Sequence, residues 1–173
     1  MPYMKSLAIA VILFLSPLWP FGENPVPNAP FLIVNKHTHQ LAYVDRGTVK
    51  VIYPVATGAT NQLTPNGLHT VIVKAKDPYY RKKNIPGGSP DNPLGSRWIG
   101  FDAKDTDGRI YGVHGTNQPE SIGASVSAGC IRMENKHVEA LFDKIPIGTK
   151  LLITETTKSF QEIAAEHNAF NLE

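Results

Sequence analysis

From Phe31 onward, short runs of branched and aromatic residues alternate with clusters of Gly, Pro, Asn and Asp, the spacing of strands and hairpins. Phe31–Asn35 (FLIVN), Gln40–Asp45 (QLAYVD) and Thr48–Thr57 (TVKVIYPVAT) are separated by a polar turn from Lys36 and by Arg46-Gly47, which predicts a meander. Gly67–Lys74 (GLHTVIVK) follows the turn Thr64-Pro65-Asn66-Gly67, and Trp98–Phe101 and Arg109–Val113 are two further strands around the polar turn Lys104–Gly108. The period changes at Asn135–Ile145, where Val138, Leu141, Phe142 and Ile145 mark one buried helical face, with Asn135 as its cap and Pro146-Ile147-Gly148 as its stop. Lys150–Thr154 (KLLIT) is a last strand, and Lys158–Phe170 has the pattern of a terminal amphipathic helix. The expected fold is mostly β, a sandwich or meander with one internal helix and a C-terminal helix.

Two stretches break this rhythm. Asp77–Arg97 is rich in Pro, Gly and Tyr without periodicity, a long excursion of the kind that lines a site in a compact domain. Leu7–Leu15 (LAIAVILFL) is unbroken apolar sequence. Counted on to Phe21 it would make a helix of about 22 Å, short of a bilayer core of about 30 Å. It therefore reads as a signal peptide or N-terminal anchor over residues 1–22, followed by a Pro-rich linker at 23–30. A folded domain is then expected at 31–154 and a helical tail at 155–173. Export follows, as a secreted chain or one tethered to the membrane through that N-terminal segment alone.

Composition narrows the class. The 173 residues hold one compact domain plus a leader, and a hydrophobic share of 42% fits an ordinary folded chain. The net charge of +2 comes with no basic stripe beyond Arg81-Lys82-Lys83, read as a solvated turn, so no nucleic-acid partner is expected. The chain has one cysteine, Cys130, which excludes an intramolecular disulfide and lipid attachment near the leader. An inert buried thiol is the plain alternative, and its neighbours argue against it.

Tyr111–Asn135 reads YGVHGTNQPESIGASVSAGCIRMEN. A strand ends at His114-Gly115, a loop returns, and Ser127-Ala128-Gly129-Cys130 follows sixteen residues after the histidine. A free thiol is mostly protonated at neutral pH, and an adjacent imidazole can take its proton, giving a thiolate–imidazolium pair that attacks carbonyl carbon. Gly129 before the cysteine lets a carbonyl approach, with the N–H groups of Gly129 and Cys130 facing a developing oxyanion. Arg132, two residues on, is placed to meet a carboxylate.

The run HGT…SIGASVSAGCIRM.N resembles the signature of the YkuD-type L,D-transpeptidase catalytic domain, a family of peptidoglycan cross-linking enzymes. Thr64-Pro65-Asn66-Gly67, Asn92-Pro93-Leu94-Gly95 with Arg97-Trp98-Ile99-Gly100, and Ile147-Gly148-Thr149 are similar to further turns of that family, so the likeness spans roughly Phe31–Thr154. Many members carry His where Ala128 stands; the base of the family is the His of HGT, here His114. The resemblance implies a YkuD-like fold and a monomer without cofactor or metal, acting on peptidoglycan stem peptides. Cys130 would attack the carbonyl of the third residue of a tetrapeptide stem, D-Ala would leave, and an amine of a neighbouring stem would resolve the thioester into a 3→3 cross-link. His114 serves as base and then acid, Ser127 orients His114, and Arg132, Gly115, Thr116 and Trp98 are the candidate substrate contacts.

Two alternatives share the scaffold: an L,D-carboxypeptidase, in which water resolves the same thioester, and a non-catalytic wall-binding protein. A papain-like peptidase would place Cys before His, the reverse of the order here. His37 and His39 are spaced for one strand face but have no supporting ligands, and are read as loop histidines. His69 is expected on the solvent face of its strand. Tyr79, Tyr80 and Trp98 are read as core aromatics, with groove walls as the alternative, while Asp91 and Asp102 could meet a cationic substrate group.

Overall fold

The computed structural model describes residues 29–169; the expected leader and nearly all of the linker lie outside them. Ten strands and two helices follow one another as β1 (Phe31–Asn35), β2 (Gln40–Asp45), β3 (Thr48–Pro54), β4 (Thr57–Gly58), β5 (Gly67–Lys76), β6 (Arg97–Phe101), β7 (Tyr111–His114), β8 (Ser125–Ser127), β9 (Ile131–Arg132), α1 (Asn135–Phe142), β10 (Lys150–Thr154) and α2 (Phe160–Ala169). Eight strands form one sheet in the order β3-β2-β1-β10-β5-β6-β7-β9, and β4 pairs with β8 in a second, parallel pair. The mostly β expectation holds.

Burial explains why β1 is apolar without alternation. It lies between β2 and β10, and all five residues are buried. Leu32 and Val34 enter the larger core with Leu41, Leu151, Ile153 and the α1 residues Val138 and Leu141. Phe31 and Ile33 enter a smaller core with Ala42, Val44 and the α2 residues Phe160, Ile163 and Ala164. A strand covered on both faces needs an unbroken hydrophobic run.

The expected strand Thr48–Thr57 is broken. Pro54 has no N–H for a ladder, and beyond it the chain crosses from one edge of the sheet to the other. Val55 donates to the His39 carbonyl (2.9 Å), and Ala56 exchanges two bonds of 2.9 Å with Arg132. The sheet thus curls until β3 and β9, its two edges, are joined through this link. His69 also departs from expectation. Its register partner is Leu151 on the larger-core face, and its ring packs 5.4 Å from that of Phe101, while Leu68 faces solvent.

The two helices are held at their ends in different ways. Glu134, not Asn135, is the N-cap of α1, and it makes no capping bond. At the other end, Lys74 of β5 donates to the carbonyls of Phe142 and Ile145, both at 2.6 Å, placing a cation on the negative pole of the helix. α2 starts with a capping box: the Ser159 hydroxyl accepts from Glu162 N (3.2 Å) and the Glu162 carboxylate accepts from Ser159 N (2.8 Å).

Candidate active site

Register places the chemistry on one face. Trp98 is opposite Ala75 and His114; Gly100 is opposite Val73 and Gly112; His114 is opposite Arg132. Val113 is opposite Ile131, which sets Cys130 beside Gly112. Ile99, Phe101, Val113 and Ile131 point the other way, into the larger core. The exposed face therefore carries Trp98, Gly112, His114, Cys130 and Arg132 together.

A cavity of about 450 Å³ opens over this face. Val73, Ala75, Trp98 and Cys130 line its floor, Pro78–Lys82 and Leu94 one wall, and Arg109-Ile110 another. The Trp98 indole lies flat across Gly112, where an added Cβ would come within 2.6 Å of the ring, and its Nε1 donates to Gly108 O at 2.8 Å. Tyr79 and Tyr80 belong to the wall, and Tyr79 is 49% exposed, which corrects their reading as core aromatics. Trp98 is both buried and a lining residue.

The turn before Cys130 is held rigidly. Ser127 Oγ donates to Cys130 O (2.6 Å) and accepts from Gly129 N (3.0 Å). Gly129 sits at φ +131°, a conformation open to glycine, and any Cβ would meet Leu63 O at 2.6 Å. Its carbonyl accepts from the buried Thr64 hydroxyl (3.0 Å), and the turn bearing Thr64 is gripped by the buried Lys36 ammonium, which donates to Asn61 O and Thr64 O. Two expectations are corrected here: Ser127 Oγ steadies the turn that carries Cys130 and does not reach His114, and the Gly129 N–H is already engaged by that hydroxyl.

His114 is 4% exposed, stacks on Trp98 at 5.5 Å, and donates through Nδ1 to the Gly115 carbonyl. Burial lowers its pKa to about 4, the Arg132 cation adds to this, and the carbonyls of Gly115 and Leu94 oppose it. Burial pushes the Cys130 thiol up, against the Gly112 N–H and the charges of Lys82 and Arg132, which favour the thiolate. Both shifts favour a neutral thiol beside a neutral imidazole at rest, and the cause is desolvation of both groups. Sulfur and imidazole share a face without bonding each other: the Cys130 Sγ partner is Ile110 O at 3.4 Å, a weak contact that a change of χ1 would release.

The other expected contacts divide. Arg132 lies next to His114, bonded to Gln118 (3.3 Å) and Ser121 (3.5 Å) and paired with no carboxylate among the described residues. Gly115 orients His114, and the buried Thr116 uses its hydroxyl to accept from Gln118 N, so both brace the site and neither lines the cavity. Asp91 is exposed away from the cavity lining, and Asp102 accepts from Thr70 N (2.7 Å). His39 bonds Ser125 in a turn, and no group of metal-binding residues exists among the described residues.

Asn135 went unrecognised. Its Oδ1 accepts from Ser96 N (3.1 Å) and Thr116 N (3.2 Å) while its Nδ2 donates to Thr116 O (3.2 Å). It thus ties the end of the excursion to the loop whose Gly115 carbonyl orients His114. In the sequence it closes the run SIGASVSAGCIRM.N that resembles the family signature and also reads as a helix cap, but neither reading names its polar partners.

The chain belongs to the YkuD family: the profile described as the L,D-transpeptidase catalytic domain matches residues 29–153. YqjB of Bacillus subtilis (strain 168), which carries a provisional L,D-transpeptidase name, is 59% identical over 96% of this chain and 94% of its own. ErfK/SrfK of Salmonella typhimurium, named a probable L,D-transpeptidase, is 32% identical over 75% of this chain, which spans only 45% of that protein. An L,D-transpeptidase from Mycobacterium tuberculosis H37Rv shares the fold at a TM-score of 0.59 and 18% identity, over 73% of this chain and 58% of that one.

Proposed function

We propose that this chain is a peptidoglycan L,D-transpeptidase that forms 3→3 cross-links through a thioester on Cys130. One observation carries the reading: in a chain of this family, the only thiol forms part of the cavity floor, on the same sheet face as a buried, neutral histidine.

Cys130 Sγ attacks the carbonyl carbon of the third residue of a tetrapeptide stem as His114 accepts the thiol proton. A base of low pKa is a weak one at rest. The substrate therefore has to displace the Ile110 contact, turn the sulfur toward the imidazole and exclude water, and the Arg132 charge helps the thiolate form. Cys130 N–H faces the oxyanion of the tetrahedral intermediate. Its collapse passes the proton from His114 to the departing D-Ala amine. An amine of a second stem then attacks the thioester, loses a proton to His114, and regenerates the thiol. The Nδ1–H to Gly115 O bond holds the ring for both transfers. A place outside the cytoplasm, at the wall, follows from such a substrate; no described helix is long and apolar enough to cross a membrane.

The test is incubation with purified tetrapeptide muropeptides and mass spectrometry. A cross-linked dimer with release of D-Ala is expected, and Cys130→Ala should give none. A shortened tripeptide alone would make the enzyme a carboxypeptidase, and no change in either would leave a wall-binding protein. L,D-transpeptidase 3 of Mycobacterium tuberculosis has been solved with a faropenem-derived adduct, so β-lactam acylation of Cys130 is a second check on the thiol.

A further inference from the structure

The segment Arg81–Lys83 is exposed as a solvated turn should be, yet Arg81 and Lys82 form part of the cavity wall over Cys130. The loop that carries them is firmly built. Tyr80 and Ile85 exchange two backbone bonds of 2.9 and 3.1 Å around one turn of 3₁₀ helix. Asn92, 1% exposed, ties both feet of the loop by donating to Pro78 O (2.8 Å) and Pro86 O (3.1 Å). The charged residues lining the cavity are Arg81, Lys82 and Arg109, all cations, and no carboxylate lines it. Arg109 is answered by Asp107 at 2.8 Å. Arg81 and Lys82 enter no ion pair among the described residues. The Lys82 charge is felt at Cys130, where it favours the thiolate. Beside the apolar floor of Val73, Ala75 and Trp98 these two unanswered cations are focused on the cavity.

We propose that Lys82, assisted by Arg81, binds the free carboxylate at the C-terminus of the donor peptide and so restricts attack to the last peptide bond. The inference rests on the transpeptidase reading above. When one residue lies beyond the attacked carbonyl, its carboxylate stands roughly one residue, about 3.5 Å, further along the chain. That anion comes close to a sulfur that must itself become negative, and a cation on the wall offsets the repulsion while reading the terminus. An internal peptide bond offers no charge at that place.

The experiment compares two donor tetrapeptides that differ only in a terminal carboxylate or carboxamide, following thioester formation by intact-protein mass spectrometry and release of the terminal residue. Wild type should prefer the carboxylate by about tenfold in kcat/KM, the scale of a partly desolvated charge contact. Lys82→Gln should bring the ratio of the two substrates near one, the double variant with Arg81→Gln further still, and Lys82→Arg should retain it. A purely structural role would slow both substrates alike and leave the ratio in place. Equal rates in wild type, or an unchanged ratio in Lys82→Gln, overturn this inference alone. A wild type acylated by neither peptide sinks the transpeptidase reading, and this one with it.

Discussion

The two ends of the main sheet use the same face in opposite ways. Over β1 and β2 that face carries Phe31, Ile33, Ala42 and Val44, sealed beneath Phe160, Ile163 and Ala164 of α2. Over β6 and β7 it carries Trp98, Gly100, Gly112 and His114, and no described helix covers it. The opposite face stays packed throughout, from Leu32 and Leu41 at one end to Ile99, Val113 and Ile131 at the other. One face is left open to a cavity here while the other holds the sheet in register. Stability and chemistry should therefore respond to different residues.

The sharpest way to break that comparison is Cys130→Ala. Cross-linking should fall below detection, by more than about 10³-fold on the scale of an essential nucleophile, while thermal unfolding stays within about 1 kcal/mol of wild type. Retained activity would end the thiol assignment. Leu32→Ala at the sealed end should do the reverse, costing about 2–5 kcal/mol in denaturant unfolding with the turnover of the folded fraction unchanged.

His114 belongs to both categories. Its folded pKa of about 4 lies below the ordinary value of 6.5, so the unfolded chain gains a proton first as pH falls. Its effect is absent above about pH 7, grows between 6.5 and 4, and is complete below, a loss of about 3 kcal/mol. Melting temperature against pH should show this fall in wild type and lose it in His114→Gln. In kcat/KM, the acid limb set by this group should lie near 4.

Gly112→Ala should displace the indole of Trp98 and lower kcat/KM by about tenfold, with a smaller stability change than Leu32→Ala; circular dichroism and kinetics together separate the two. Asn135→Ala is expected to be the mildest. It removes the acceptor shared by Ser96 N and Thr116 N at a cost of about 1 kcal/mol for bonds near the surface and should lower kcat by several-fold, with KM little changed, because the affected loop aims His114 and does not line the cavity. A change in KM alone would argue against that placement.

Much of this was legible beforehand. β1, β2 and β10 were readable because runs of Leu, Ile and Val record burial directly, and a lone thiol sixteen residues after His-Gly drew attention to itself. β4 and β8 were not, because pairs as short as Thr57-Gly58 and Ser125–Ser127 have no room for a period, and the link after Pro54 depends on partners far along the chain. The partners of Ser127, Gly129 and Asn135 were hidden for a related reason: hydrophobic pattern reports which way a residue faces, not which polar atom it meets. The protonation states of Cys130 and His114 follow from burial depth, which residue spacing does not encode.

The elevated Cys130 thiol has a consequence for durability. Peroxides and disulfides react with the thiolate, so burial that favours the protonated sulfur of Cys130 also disfavours its oxidation. Without a second cysteine, a sulfenic acid on Cys130 has no thiol of this sequence with which to condense. Under the proposed mechanism, a sulfur armed only when its peptide arrives is also shielded from such chemistry between turnovers.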